Sequence, residues 1–321
     1  MDLSEAKHMT QLMTPQQMTQ LRGELKSDEP MGRHVSWRSG GNATRVYTPA
    51  DRDDLAVFLN QLPPCELVMF IGLGSNSLVR DGGFAGTVVL THAAAKRPDL
   101  VEGLVYAEVG VASPKVARFA ATHDLAGAEF LAGIPGSIGG ALAMNAGCYG
   151  SQTWEIVERV ETIDRTGTLR VRPKADFDIA YRHCELKGDA LKGDARIGVD
   201  EWFTGGYFKL APGDGDASRA RIKEFLTKRI ASQPLSLPNA GSVFRNPPGD
   251  HAARLIESCG LKGFDRGGAR VSEKHANFIV NPKGAARAAD IEEIIETVRA
   301  KVKAQTGVDL HPEVRIFGEH A

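Results

Sequence analysis

The run Phe70 to Gly86, Phe-Ile-Gly-Leu-Gly-Ser-Asn-Ser-Leu-Val-Arg-Asp-Gly-Gly-Phe-Ala-Gly, limits what this chain can fold into more than any other stretch. An apolar run ending at Ile71 feeds a buried strand into Gly72-Leu73-Gly74-Ser75-Asn76-Ser77. Without Cβ atoms at two of these positions the backbone is free to turn several N–H groups toward one anion. Serine and asparagine side chains add donors without adding a cation, so a pyrophosphate is the natural guest. An ordinary glycine-rich turn between strands competes with that reading.

Two familiar phosphate loops do not fit. A Rossmann fingerprint needs its glycines to open a helix and an acidic residue about twenty positions on. Here the loop runs into Gly82-Gly83 and the apolar stretch Thr87 to Leu90. A Walker A loop fails because no Gly-Lys-Ser/Thr follows. A second cluster, Gly133-Ile134-Pro135-Gly136-Ser137-Ile138-Gly139-Gly140, continues through Asn145 and Gly147. Pro135-Gly136 marks a turn, and Gly139-Gly140 permits close backbone approach. Two such loops point to a large, flat, phosphate-bearing cofactor clasped from both sides, against the plainer reading of tight helix-on-sheet packing.

The 321 residues allow two domains, and 42% hydrophobic content fills substantial cores. Lys+Arg total 39 against 40 Asp+Glu, a balance that gives no footprint for nucleic acid. No apolar run reaches the roughly 18 residues of a membrane span, and no signal pattern opens the chain, so a cytoplasmic protein is expected. Cys65, Cys148, Cys184 and Cys259 are scattered, with no C-x-x-C pair, so reduced thiols and no metal are expected.

Along the chain, Thr14-Pro15 reads as the start of a short helix through Leu25. Thr48 reads as an N-cap with Pro49 at the first helical position, before Leu55, Phe58, Leu59 and Leu62. Strands are expected at Thr87 to Leu90 and Leu104 to Val109, a helix from Ser113-Pro114, then antiparallel strands Ile156 to Asp164 and Thr168 to Arg172. Gly205 to Leu210 reads as a strand closing that unit. Helices follow with Ile222, Phe225, Leu226 and Ile230 inward, from His251 to Cys259, and after Asp290 through Val302 to Gly307.

Four stretches join reactive side chains to turn residues: Tyr181-Arg182, Gly241-Ser242-Val-Phe-Arg245-Asn246-Pro247, Val271-Ser-Glu-Lys274-His275-Ala-Asn277-Phe278 and His311-Pro-Glu313-Val-Arg315. There is no G-x-S-x-G elbow for a serine hydrolase and no H-E-x-x-H for a metal. Taken with Arg38-Ser-Gly-Gly, the loop Ile71 to Val79, Gly133 to Gly140 and Met144-Asn145-Ala-Gly147, these stretches run in the order found in the UDP-N-acetylenolpyruvoylglucosamine reductase (MurB) family. The chain resembles that family from about residue 36 to 317.

The resemblance implies an α+β fold: an FAD-binding domain of the vanillyl-alcohol oxidase (PCMH) type followed by a smaller α/β substrate domain. The expected division is an N-terminal extension at 1–35, the FAD domain at 36–211 and the substrate domain at 212–321. It implies noncovalent FAD, NADPH as hydride donor and UDP-N-acetylenolpyruvoylglucosamine as substrate, reduced to UDP-N-acetylmuramate for peptidoglycan. Arg182, Ser242 and Glu313 are the implied catalytic residues. Cofactor contacts fall on Arg38, Gly72 to Ser77, Gly133 to Ser137, Gly139, Gly140, Asn145 and Gly147, and substrate contacts on Tyr181, Arg245, Asn246, Lys274, His275 and Asn277. Cys184 and Arg245 depart from the family's usual Ser and Lys, and the polar stretch after Leu186 resembles the family's shorter subclass. Another flavin oxidase of the superfamily, or an inactive nucleotide-sugar sensor, are the competing readings.

Overall fold

The computed structural model describes residues 21–93, 95–187, 197 and 200–321. Most of the helix expected from Thr14, and the polar stretch after Lys187, lie outside the described residues. Strand β1 (Glu24–Pro30) already occupies Leu25, pairing antiparallel with β2 (Asn42–Thr48). Because Thr48 is the last β2 residue, opposite Glu24, it is not the cap of helix α1 (Arg52–Gln61). Asp51 takes that place, its carboxylate accepting from the Asp54 N–H.

Strands β3 (Val68–Ile71) and β5 (Phe84–Leu90) flank the first glycine loop and the short β4 (Ser77–Val79). They complete a four-stranded sheet ordered β1-β2-β5-β3, with β5 parallel to both neighbours. A second, wholly antiparallel sheet is built from β6 (Asp99–Val101), β7 (Leu104–Glu108), β8 (Val157–Asp164), β9 (Leu169–Pro173) and a later strand, Glu201–Phe208. Between β7 and β8 lie α2 (Ser113–Thr122) and α3 (Ile138–Ala143), the latter carrying the second glycine cluster. The β8–β9 turn falls at Arg165 to Gly167 as expected, with Gly167 at φ +78°.

A hairpin, β10 (Phe177–Ala180) and β11 (His183–Leu186), follows β9 and turns at Tyr181-Arg182. Strand β12 (Glu201–Phe208) then enters the sheet, starting before and ending before the expected Gly205 to Leu210. All but one of its residues are buried, so no inside-outside alternation marks its limits. The order of this sheet is β9-β8-β12-β7-β6.

Helix α4 (Gly215–Ser232) lays Ile222 into the core formed with α2 and α3, whereas Ile230 is 63% exposed, contrary to its expected inward face. The last third comprises α5 (Ala252–Ser258), β13 (Ala269–Val271), β14 (Ile279–Val280) and α6 (Ala288–Thr306). Ile291, Ile294, Ile295, Val298 and Val302 are buried along α6, which ends at Gly307 in the left-handed region. Its N-terminus is fastened from far away: the Asp81 carboxylate accepts the Ala288 and Ala289 N–H groups at 3.0 and 2.8 Å. Finally β15 (Arg315–Phe317) returns to pair in parallel with β4, placing the chain's last strand beside the first glycine loop.

Candidate active site

The two glycine loops face each other across a cleft of about 760 Å3. An added Cβ at Gly72 would run into Ser137 of the opposite loop. One at Gly74, whose φ is +60°, would strike the carbonyl of His34 behind the loop. The Gly74 and Asn76 carbonyls accept from Ser36 and Arg315 N–H groups. By contrast, the N–H groups of Leu73, Gly74, Ser75 and Asn76 donate to nothing among the described residues, and neither do those of Gly136 and Ser137. Rows of free amide donors on both sides suit the pyrophosphate of a dinucleotide. Gly140 lines the cleft with nothing within 4 Å of its missing Cβ, so side-chain space is left to a ligand. The residues therefore fit FAD.

Arg182 occupies the second position of the two-residue β10–β11 loop at φ +55°. Glycine or asparagine usually supplies that conformation, so an arginine there carries backbone strain held by its surroundings. Its Nε donates to Glu313 Oε1 at 2.7 Å, and its two Nη groups donate to the Asn145 and Gly147 carbonyls at 3.4 and 3.2 Å. Glu313 is fixed from three directions: its N–H donates to Val243 O at 2.7 Å, its carbonyl accepts from Asn76 Nδ2 at 3.1 Å, and its carboxylate meets Arg182. Burial pushes the Glu313 carboxyl above the ordinary glutamate range, outweighing the opposing pull of Arg182 and Arg245. Ser242 precedes Val243 and follows Gly241, whose φ of +75° and N–H bond to Asn239 Oδ1 form the turn. The Ser242 hydroxyl lines the cleft and has no hydrogen-bond partner among the described residues.

The raised Glu313 value carries a stability signature. Between the ordinary and the folded value, the folded chain holds a proton that the unfolded chain has lost, so this contribution falls as pH rises. Removing the carboxyl in Glu313→Gln is expected to flatten that fall. Urea midpoints measured at several mildly acidic pH values should show the variant gaining on the parent as pH increases.

Gly72 to Ser77, Gly133 to Ser137, Gly139, Gly140, Gly147, Arg182, Ser242 and Glu313 all line the cleft. Several other expected contacts do not. Arg38 is exposed at φ +57°, its stem lying over Gly284 and away from the cofactor loops. Asn145 spends its amide internally, donating to Gln152 Oε1 and Ala180 O and accepting from Trp154 N, so it steadies the hairpin that carries Arg182. Asn277, 3% exposed, clasps both the N–H and the carbonyl of Phe244 and so supports the Ser242 segment without reaching ligand.

Asn246 accepts from Ala252 N at the start of α5, Lys274 Nζ donates to Ile230 O at 2.6 Å, and half-buried His275 packs edge-on against Phe278. None of these three lines the cleft. Tyr181 is 48% exposed with its ring centroid 5.0 Å from the Arg182 guanidinium carbon, outside the lining. Arg245 also stands outside it, with a buried Nε lacking a partner. Cys184 packs into the first core, where burial pushes its thiol up to about 12.

Sequence reasoning missed Arg165, Arg229 and Arg315, which join Arg182 in the lining. Four arginines thus face the cleft with Glu313 as its only carboxylate among the described residues, a field suited to a polyanionic ligand. Arg229 donates to Gln233 Oε1 at 3.0 Å and sits on α4, whose charged surface gives no sign of which arginine turns inward. Arg315 belongs to the Pro312-Glu313-Val314-Arg315 stretch, beside the expected catalytic glutamate.

Comparison with known proteins gives a consistent picture. Residues 43–171 match a family described as FAD binding domain, and residues 233–317 match the UDP-N-acetylenolpyruvoylglucosamine reductase C-terminal domain. The UDP-N-acetylenolpyruvoylglucosamine reductase of Nitrosospira multiformis is 56% identical over 315 residues, covering 94% of this chain and 90% of its own. That of Nitrosomonas eutropha is 57% identical over 305 residues, with 94% and 90% covered. The crystal structure of UDP-N-acetylenolpyruvylglucosamine reductase (MurB) from Thermus caldophilus superposes with a TM-score of 0.76 at 29% identity, covering 92% of this chain and 99% of that one.

Proposed function

This chain belongs to the UDP-N-acetylenolpyruvoylglucosamine reductase family, and from that premise we infer that it reduces UDP-N-acetylenolpyruvoylglucosamine to UDP-N-acetylmuramate, using NADPH and FAD, in peptidoglycan precursor synthesis. The observation that carries the site assignment is the meeting of Arg182, Ser242 and Glu313 in the cleft between two loops of free amide donors. When bound, FAD takes a hydride from NADPH and supplies it to the terminal carbon of the enolpyruvyl ether.

The residues of the chain do the remaining work. Backbone N–H groups of Leu73 to Asn76 and of Gly136 and Ser137 hold the cofactor phosphates. Arg182, aimed by the Asn145 and Gly147 carbonyls, grips the substrate carboxylate on which negative charge accumulates. Glu313, whose carboxyl burial raises above the ordinary glutamate range, stabilises that same charge beside Arg182 when it carries its proton. Ser242 Oγ gives its proton to the second carbon, completing addition across the double bond. The arginine-lined cleft receives the diphosphate of the nucleotide sugar.

The expected division at 36 and 212 shifts at both points: β1 (Glu24–Pro30) already pairs into the first sheet, so the FAD domain takes in residues expected as an extension, and α4 packs into its core, so the substrate domain follows that helix. Strand β15 of the second domain leans back onto the first. Among the described residues no helix is long and apolar enough to cross a membrane. A cytoplasmic location, where NADPH and nucleotide sugars are made, fits the reaction, and nucleic acid has no part in it.

The test is direct. Purified protein is expected to be yellow, to release FAD on denaturation and to oxidise NADPH only when the enolpyruvyl substrate is present. A colourless chain that takes up no FAD would overturn the assignment, and a yellow protein that reduces oxygen or another acceptor but not the enolpyruvyl ether would place it elsewhere in the superfamily.

A further inference from the structure

Most of the arginines that matter to this fold have a carboxyl partner. Arg182 meets Glu313, Arg80 meets Glu292 at 2.8 Å, and Arg45 meets Glu66 at 2.6 Å. Arg315 has no carboxylate among the described residues, and its one side-chain hydrogen bond runs from Nε to the Met144 sulfur at 3.4 Å. The surface it exposes belongs to the cleft wall. Its position is fixed from both sides, because its own N–H donates to Asn76 O in the first glycine loop, and Met144 follows α3 in the second cluster. Arg315 therefore bridges the two loops that hold the cofactor and shares the cleft wall with Glu313, two residues away.

A thioether is a weak acceptor and carries no charge, so most of the donor capacity of this guanidinium, which the cleft wall leaves accessible, is unused. A second cation adds to the positive charge there. Arg245 stands close enough to act on both Glu313 and Arg315, and its buried Nε donates to nothing. Partial desolvation at the cleft wall, then the Arg245 charge, pull the Arg315 value down from the ordinary arginine range. Two neighbouring cations, one of them facing the cleft and neither paired with a carboxylate among the described residues, favour an anion that enters the cleft.

We propose that Arg315, backed by Arg245, is the residue that receives a planar, delocalised anion in the assembled site, a task distinct from the Arg182–Glu313 pairing. The inference rests on the flavoprotein reading above. Two groups in that reaction have this chemistry: the carboxylate of the enolpyruvyl ether, and the pyrimidine edge of the flavin when it carries negative charge. Both accept paired N–H bonds from a guanidinium fork.

The holoenzymes of Arg315→Met and Arg315→Lys separate the two sources. Binding to the oxidised enzyme is titrated by the change in flavin absorbance, once with UDP-N-acetylenolpyruvoylglucosamine and once with UDP-N-acetylglucosamine, which lacks the carboxylate. The midpoint potential of the bound flavin is measured separately by dye-coupled reduction. If the substrate carboxylate is the partner, Arg315→Met weakens the first ligand at least tenfold and leaves the second within twofold. If the flavin is the partner, both affinities hold while the potential becomes more negative, and Arg315→Lys, which keeps the charge, recovers most of the shift.

Wild-type affinities and a wild-type potential in Arg315→Met, at normal FAD content, would overturn the proposal. Should that variant not accumulate folded, Arg315→Gln carries the same comparison. A parent enzyme that binds no FAD defeats the underlying reading instead, so the two failures are distinguishable.

Discussion

Ser242→Ala is expected to leave reduction of the bound flavin by NADPH at the parent rate while slowing its reoxidation by the enolpyruvyl substrate by 10²- to 10⁴-fold, the range for a lost proton donor. That corresponds to about 3–5 kcal/mol of transition-state stabilisation. The separation arises because no proton is needed at the second carbon until the substrate accepts hydride. Ser242 is well suited to such a test: its hydroxyl lines the cleft and is hydrogen-bonded to nothing among the described residues, so alanine deletes no structural contact. Thermal stability should move by no more than about 0.5 kcal/mol, as for an ordinary surface change.

Glu313→Gln and Arg182→Lys should slow the same half-reaction. The latter also loses two carbonyl contacts that aim the guanidinium, so its flavin content needs checking first. Stopped-flow absorbance with each reactant alone decides the matter. A Ser242→Ala enzyme that reoxidises at the parent rate would show that the proton comes from another group, leaving Ser242 as a turn residue beside Gly241.

What could be read before the structure was what leaves a local trace. Glycine loops announce themselves because backbone freedom belongs to the residue, and α6 because its buried Ile and Val positions recur at helical spacing. Side-chain employment is not local. Asn145 and Asn277 stand in motifs rich in site residues, and nothing in the sequence tells that their amides are already engaged with Ala180 and Phe244. Each still serves the chemistry from behind, one steadying the Arg182 hairpin and the other the Ser242 segment.

Arg315 illustrates the reverse case. An arginine beside Glu313 reads as its partner, yet that carboxylate pairs with Arg182 instead, 131 positions away. The parallel pairing of β15 with β4 was equally hidden, since three-residue strands carry no period and the contact spans most of the chain. That pairing nevertheless brings the acid onto the cofactor loop. Strand β12 was misplaced because burial on both faces removes alternation.

Gly140→Leu is expected to give a folded protein with no flavin, the largest effect on cofactor retention that a single residue in this site offers. The obvious alternative, a bulky residue at Gly74, answers a different question. Gly74 is held at φ +60° and backs onto His34 and Val35, so a side chain there strains the backbone and displaces the β1–β2 connection before it meets any ligand. Gly72 is similar, since its substituent would collide with Ser137 and pry the loops apart. Gly140 has neither problem. It lies within α3, its φ is not in the left-handed region, and an added Cβ meets no atom within 4 Å.

Leucine in a helix is favoured over glycine by up to about 1 kcal/mol, so the melting temperature of the apoprotein should hold or rise. Because Gly140 lines the cleft, a leucine there is expected to take up space the cofactor needs. Absorbance of the purified variant, uptake of added FAD by fluorescence quenching, and a thermal melt read the outcome. Loss of flavin with an unchanged or higher melting temperature places the cofactor against α3, whereas a yellow, active Gly140→Leu protein would move it out of the space between the two glycine loops.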